Sequence, residues 1–412
     1  MTSSDPPGRT GVRAALRLAM TLGWLALLVG CQFGTTATPT PEAPPSSTLD
    51  AIPPSAATLD GPINLTLLAD LSDTDALDGA MAQQATALAA DHINAQGGVN
   101  AQPIRLTVRD SASSNAGALQ ALELAASADN AIALIGPADS ARVQSISERI
   151  ADVEIPTLMA GANATLTRVG NPWLFRLRPD DGVPARAMAA WALNDLKGSR
   201  IAVLHDSSSV GIGGADLIEA ALKSKGLSLI ARQRYAAGAR DFSAPLRLIK
   251  ATGADVLCLY TSRPADGVAL LQQIKKLGLR ARLIGSPAYA EAAIRQLPGD
   301  LLESLTVVVD FVPGRTPEYA DYARAWRARY QTEPDASSAW RWDAVHLAAR
   351  VVARAGADKH RFRAELLKTK GFKGASGAFS FSADGSGRHS VDVAQYQNSV
   401  LQYVQTIDTG SQ

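Results

Sequence analysis

The sequence predicts an α/β protein built from two doubly wound, parallel-sheet lobes. Three observations carry this. Strand-like runs are apolar throughout and alternate with helical stretches of about 10–15 residues, the pattern of strands covered on both faces. Two strands, Asn64-Leu-Thr-Leu-Leu-Ala-Asp70 and Arg200-Ile-Ala-Val-Leu-His-Asp206, end in Asp, and each opens a strand–helix series. A strand–glycine turn also occurs twice, at Ala133–Pro137 and at Arg282–Pro287. The chain looks like two copies of one βαβα lobe, and a cleft between such lobes is the natural place for a small molecule.

Residues 1–30 read as a signal segment. Arg9, Arg13 and Arg17 precede an apolar run from Leu18 to Gly30, which is shorter than the roughly 20 residues a stable bilayer span needs. Leu28-Val29-Gly30-Cys31 resembles the lipobox of bacterial lipoproteins, which implies lipidation of Cys31 at the mature N-terminus. The plainer reading is an ordinary secretory signal with Cys31 placed by chance. Residues 31–62 hold seven prolines among Thr, Ala, Ser and Gly. They are too poor in apolar surface to fold, and read as a tether reaching at most roughly 90 Å in proline-type extension.

The body follows in order. Strands are expected at Ile63–Ala69, Ile104–Val108, Ala131–Ile135 and Ile155–Met159, with helices at Ala76–Ala95, Ala116–Ala126 and Ser140–Ile150. The second series places strands at Arg200–Leu204, Leu227–Ala231, Val256–Tyr260 and Arg282–Ile284. Its helices are Gly214–Lys223, Phe242–Ala251 and Val268–Leu277, with Gly211-Ile-Gly-Gly214 read as a loop.

Composition narrows the function. The net charge is +1 overall, and residues 1–30 carry three Arg and one Asp, so the remainder sits near −1. No basic run interleaved with aromatics invites nucleic acid. Beyond Cys31 only Cys258 is left, inside an apolar run, so no disulfide is expected. There is no Gly-Lys dipeptide, no Cys-x-x-Cys, no His-Glu-x-x-His and no Gly-x-Ser-x-Gly, and the five histidines lack tight ligand spacing. Neither an enzyme, a cofactor nor a metal site is expected.

Asp91-His-Ile-Asn-Ala-Gln-Gly-Gly-Val-Asn100 resembles the DEINAAGGVNG segment of periplasmic branched-chain amino-acid binding proteins. Ile135-Gly136-Pro137, Arg200–Asp206, Asp241–Ala244, Trp342–Val345 and Phe379–Gly385 match the same family in order. The resemblance spans residues 62–408. It implies a type I periplasmic binding protein whose lobes are joined by a three-crossing hinge near Arg178–Asp181, Val308–Phe311 and Ser376–Phe379. Lobe one would hold 63–178 and 312–376, and lobe two 182–308 and 379–408.

The resemblance also implies ligand positions. Ser140 falls where a hydroxyl holds the ligand carboxylate beside helix N–H groups; the plainer reading is that Asp139 or Ser140 caps its helix. Gly161, Ala162 and Asn163 match a second carboxylate-binding loop, although Asn163 also suits a turn. Asp78 stands where the family has an aromatic, Val210 and Ser262 replace two further aromatics, and Pro287 replaces the acid that meets the amine, with Tyr289 nearby. These departures argue against an unmodified branched-chain site. Two functions are expected: a lipid-anchored, extracytoplasmic substrate-binding protein that hands a small polar solute to ABC permease subunits, or a non-transport envelope lipoprotein for sensing or protein interaction.

Overall fold

The computed structural model describes residues 61–410 except 74, 75 and 304, so the expected signal segment, most of the tether and Cys31 lie outside the described residues. The first lobe begins with β1 (Ile63–Ala69), α1 (Ala76–Ala95), β2 (Ile104–Asp110), α2 (Asn115–Ser127), β3 (Ala133–Ile135), α3 (Ser140–Val153), β4 (Thr157–Met159) and β5 (Leu174–Pro179). The second lobe takes α4 (Gly182–Asn194), β6 (Ile201–Asp206), α5 (Ser209–Lys223), β7 (Ala231–Tyr235), α6 (Ser243–Thr252), β8 (Val256–Tyr260), α7 (Pro264–Leu277) and β9 (Arg282–Gly285). Two short turns, α8 (Ala292–Arg295) and α9 (Gly299–Leu302), lead to β10 (Thr306–Val309). The chain returns to the first lobe for α10 (Pro317–Tyr330), α11 (Ala339–Ala355), α12 (Lys359–Leu367), the hairpin β11 (Phe372–Gly374) and β12 (Gly377–Phe379), and β13 (Ser386–Arg388). It ends in the second lobe on β14 (Ser390–Gln397) and β15 (Val400–Asp408).

Sheet one has the order β13-β5-β4-β3-β1-β2, and sheet two β15-β14-β10-β9-β8-β6-β7. Through β1–β5 and β6–β10 the order is the same: the first strand is flanked by the second and third. The two-copy reading is therefore visible in strand order. Both series are parallel, while β14 pairs antiparallel with β10 and with β15, and β11 with β12. The switch points lie at the carboxyl ends of β1/β3 and β6/β8, where an open α/β sheet leaves a crevice.

Hydrophobic burial explains the layers. All residues of β3, β4, β6, β8 and β10 are buried. Helix α11 is covered nearly all round, with Trp342 fully buried among the aromatics of α10 and the apolar face of α1. Helix starts are set by side-chain caps: Ser114 accepts from the Gly117 N–H, Asp139 from Arg142, Ser208 from Gly211 and Thr316 from Tyr319.

Three expectations need correction. The third crossing is at His389, not at Ser376–Phe379, because β13 adds to sheet one beside β5, with Ser386 opposite Arg176. Phe379 and Phe381 belong to the first lobe's core, and the Phe381 ring meets Phe175 edge-on at 5.4 Å. The strand expected at Leu227–Ala231 runs over Ala231–Tyr235 instead. It is the edge of sheet two, so its Arg-rich sequence meets solvent, while the preceding apolar run is loop. Gly211-Ile-Gly-Gly214 is not a loop but the first turn and a half of α5. A Cβ on Gly214 would lie 2.2 Å from the Tyr260 ring and one on Gly211 would lie 2.1 Å from the Asp206 carboxylate, so these glycines let α5 press onto β6 and β8.

Candidate functional site

Between the lobes lies a cavity of about 650 Å³, a size typical of small-molecule sites. Its walls come from both lobes and from all three crossings: Ala138, Ala160 and Trp340 on one side, Pro287, Ala290 and Glu291 on the other, and Arg178, Asp310, Phe311 and Arg388 at the hinge.

The crossings are fastened by charge. Arg178 at the end of β5 pairs with Asp310 just after β10 at 3.0 Å, and Asp310 holds that guanidinium above its usual pKa. Arg388, at the end of β13 and 5% exposed, donates to the carbonyls of Ser376 and Asp310. Burial lowers its pKa. Asp180 in the first crossing accepts from the Gly182 and Val183 N–H groups at 2.9 and 3.2 Å, fixing the start of α4. The Asp181 N–H donates to the Ala162 carbonyl at 2.9 Å, so the second candidate ligand loop is bonded directly to the hinge.

Each residue singled out from sequence has a definite place. Asp139 caps α3, accepting from the Arg142 N–H at 2.9 Å, which is the plainer of its two readings. Ser140 is the first residue of that helix, and its hydroxyl oxygen accepts from the Asn163 N–H at 3.1 Å. That bond uses the oxygen and leaves the hydroxyl proton for an acceptor. Gly161 is buried, and a Cβ there would lie 2.6 Å from Leu166 and 3.4 Å from the Ser140 backbone. The Asn163 side chain accepts from the Thr165 N–H and hydroxyl, while its carbonyl accepts from Arg176 at 2.7 Å. It is a turn-forming Asn in this arrangement. Of the two loops, Ala138 and Ala160 reach the cavity wall.

Asp78, in the first turn of α1, lines the cavity but is paired with Arg341 of α11 at 2.5 Å. Ser262 is not part of the cavity lining, and its N–H and hydroxyl donate to Asp206 at 2.6 and 2.7 Å, tying the loop after β8 to the loop after β6. Tyr289 also departs from its expected role. Its side chain is fully buried in the core of the second lobe against Gly285 and Gly267, and only its neighbours Pro287, Ala290 and Glu291 reach the cavity. Val210 is exposed on α5.

Several wall residues are not among the expected ligand positions, although Arg178, Asp310 and Phe311 fall in two of the expected crossings. Arg178, Glu291, Asp310, Phe311, Arg341 and Arg388 line the cleft. Burial and the nearby Asp335 charge push the Glu291 carboxyl above its usual pKa. Nothing local in the sequence marks their pairing, because Asp78 and Arg341 are 263 positions apart and Arg178 and Asp310 are 132 apart. Among the described residues, no group of three His, Cys, Asp or Glu side chains is placed to hold a metal.

Comparison with known proteins places this geometry. The family model described as "Periplasmic binding protein" matches residues 62–400. The "Amino acid binding protein" of Pseudomonas aeruginosa is 27% identical over 68% of this chain and 75% of its own length. The "Leu/Ile/Val-binding protein homolog 1" of Brucella suis is 26% identical over 76% of this chain and 84% of its own length. The substrate-binding protein of a branched-chain amino-acid transporter from Streptococcus pneumoniae, solved with isoleucine, superposes with a TM-score of 0.72. It is 21% identical, over 84% of this chain and 99% of that one. The family match therefore spans strands and helices of both lobes and every crossing. This chain belongs to the periplasmic binding protein family.

Proposed function

We propose that the protein is a lipid-anchored substrate-binding protein of an ABC importer, which takes a small polar solute, an amino acid or an amide-like molecule, into the interlobe cleft. The observation that carries this is the cavity itself: one wall from each lobe, and a floor made by the three chain crossings. A solute that contacts both walls is bound more tightly when the lobes are closed, so binding shifts the population toward the closed form. Lobe one engages first, with the Ser140 hydroxyl and the N-terminus of α3 meeting the ligand's anionic end. The loop at Ala160–Asn163, bonded to Asp181, transmits that contact to the first crossing. The closed form then docks on the permease subunits. The Leu/Ile/Val-binding and amino-acid-binding names of the relatives support a transport role.

The anchor rests on Leu28–Cys31. Cell fractionation of the Cys31→Ser variant is expected to move the protein from membranes to the soluble fraction; retention on membranes contradicts the anchor. Small-angle X-ray scattering tests the closure. Saturating solute is expected to lower the radius of gyration, and a binding solute that leaves the scattering curve unchanged contradicts the hinge.

The departures at Asp78, Ser262 and Tyr289 favour a second reading, a sensing or protein-interaction module of the cell envelope. Fold alone does not separate the two. A neighbouring pair of permease and ATPase genes favours the importer, and a neighbouring sensor kinase or wall synthase the second reading.

A further inference from the structure

We infer that the Asp78–Arg341 pair is the element that reads the ligand's side group, selecting a neutral group with both a hydrogen-bond donor and an acceptor, of which a carboxamide is the simplest. This rests on the cleft being a solute site. Arg341 is 3% exposed and its terminal nitrogens reach both oxygens of Asp78, at 2.5 and 3.4 Å. Both residues line the cavity from lobe one, on the same side as Ala138 and Ala160. At the hinge, Arg178 and Asp310 form a second such pair. Each pair is neutral as a unit.

An aliphatic side group closing over Asp78–Arg341 would strip water from the half-exposed Asp78 carboxylate and return no hydrogen bond, which is costly in a closed cleft. A charged side group fares no better: it meets a pair already balanced and would have to break it or remain uncompensated. A carboxamide satisfies both partners without changing the charge. Its carbonyl can accept from a guanidinium nitrogen, each terminal one of which carries a second N–H, and its NH2 can donate to a remaining carboxylate lone pair. The pair thus replaces the aromatic surface that the resemblance to branched-chain binders leads one to expect at position 78.

Isothermal titration of the full chain with glutamine, asparagine, propionamide, leucine, glutamate and lysine tests this. The expected result is a carboxamide binding at least tenfold tighter than leucine, glutamate and lysine. Asp78→Asn unbalances Arg341, so glutamate should gain at least tenfold on lysine; Arg341→Gln should reverse that order. A pair that only ties α1 to α11 would change melting temperature in these variants and leave the ranking alone. Leucine binding as tightly as any amide overturns the inference and leaves the solute-binding reading standing, as does an unmoved glutamate/lysine order in both variants. A panel with no binder overturns both.

Discussion

Asp343→Ala is expected to destabilise the protein by about 3–5 kcal/mol, because it leaves several buried donors without an acceptor. The Asp343 carboxylate sits 1% exposed on α11. It accepts from the Ala375 N–H at 2.6 Å, the Ser376 N–H at 2.8 Å and the Ser376 hydroxyl at 2.6 Å. These bonds clamp the β11–β12 turn to α11, and the Ser376 carbonyl in turn accepts from Arg388 at the third crossing. The loss therefore reaches the floor of the cleft. Burial raises the Asp343 pKa to about 6 from an ordinary 3.8. A raised pKa means that the folded state holds the proton more tightly than the unfolded chain does. The associated stability is present in full below pH 3.8 and is lost as pH rises through about 6. Chemical denaturation should then show a destabilisation roughly 1 kcal/mol larger at pH 5 than at pH 7. A loss below about 1 kcal/mol at both pH values would contradict the clamp.

Ser140→Ala is expected to weaken solute binding by about 1–3 kcal/mol, roughly 5- to 150-fold, if the hydroxyl donates to a buried anionic end. The residue is suited to isolating this contact. Asp139, not Ser140, caps α3, and the Ser140–Asn163 bond is exposed, so the unliganded protein should melt within about 0.5 kcal/mol of the wild type. Calorimetric titration of the two proteins measures the difference. Equal affinities would remove Ser140 from the site and leave the anionic end to the helix N-terminus alone.

How far the sequence shows the fold depends on how local the signal is. β6 and β8 are legible because every residue is apolar or buried, and the helices between them keep an apolar face. β13 is illegible: Ser386-Gly387-Arg388 has neither apolar alternation nor β-branched residues, and it pairs with β5 only through a register shift. The resemblance puts the third crossing before β13, and no local signal in the sequence corrects that. The glycines of α5 hide its start for the opposite reason, since glycine usually breaks a helix; close approach explains two of them here, Gly214 to Tyr260 and Gly211 to Asp206.

The site divides in the same way. The family resemblance points to Asp139, Ser140 and the Ala160–Asn163 loop, and their capping and turn roles have local signatures. Long-range pairing does not. Asp206 takes up Ser262 across 56 positions, which turns an expected ligand residue into a loop fastening. Tyr289 was read by its distance from Pro287, yet Gly267 and Gly285 open a slot that draws its ring into the core. The Arg178–Asp310 pair becomes visible only once the crossings are assembled, and the role of Arg341 only once α11 packs on α1.

The central claim is that this cleft holds a small polar solute. Thermal melting of the full chain against the twenty standard amino acids, short amides and urea tests it most directly, since a ligand for the folded state alone adds about 2.7 kcal/mol at a hundredfold excess over its dissociation constant. The account predicts a saturable rise in melting temperature with at least one polar solute, diminished in Ser140→Ala. A melting temperature unmoved by every solute would contradict it and give the cleft to a protein partner.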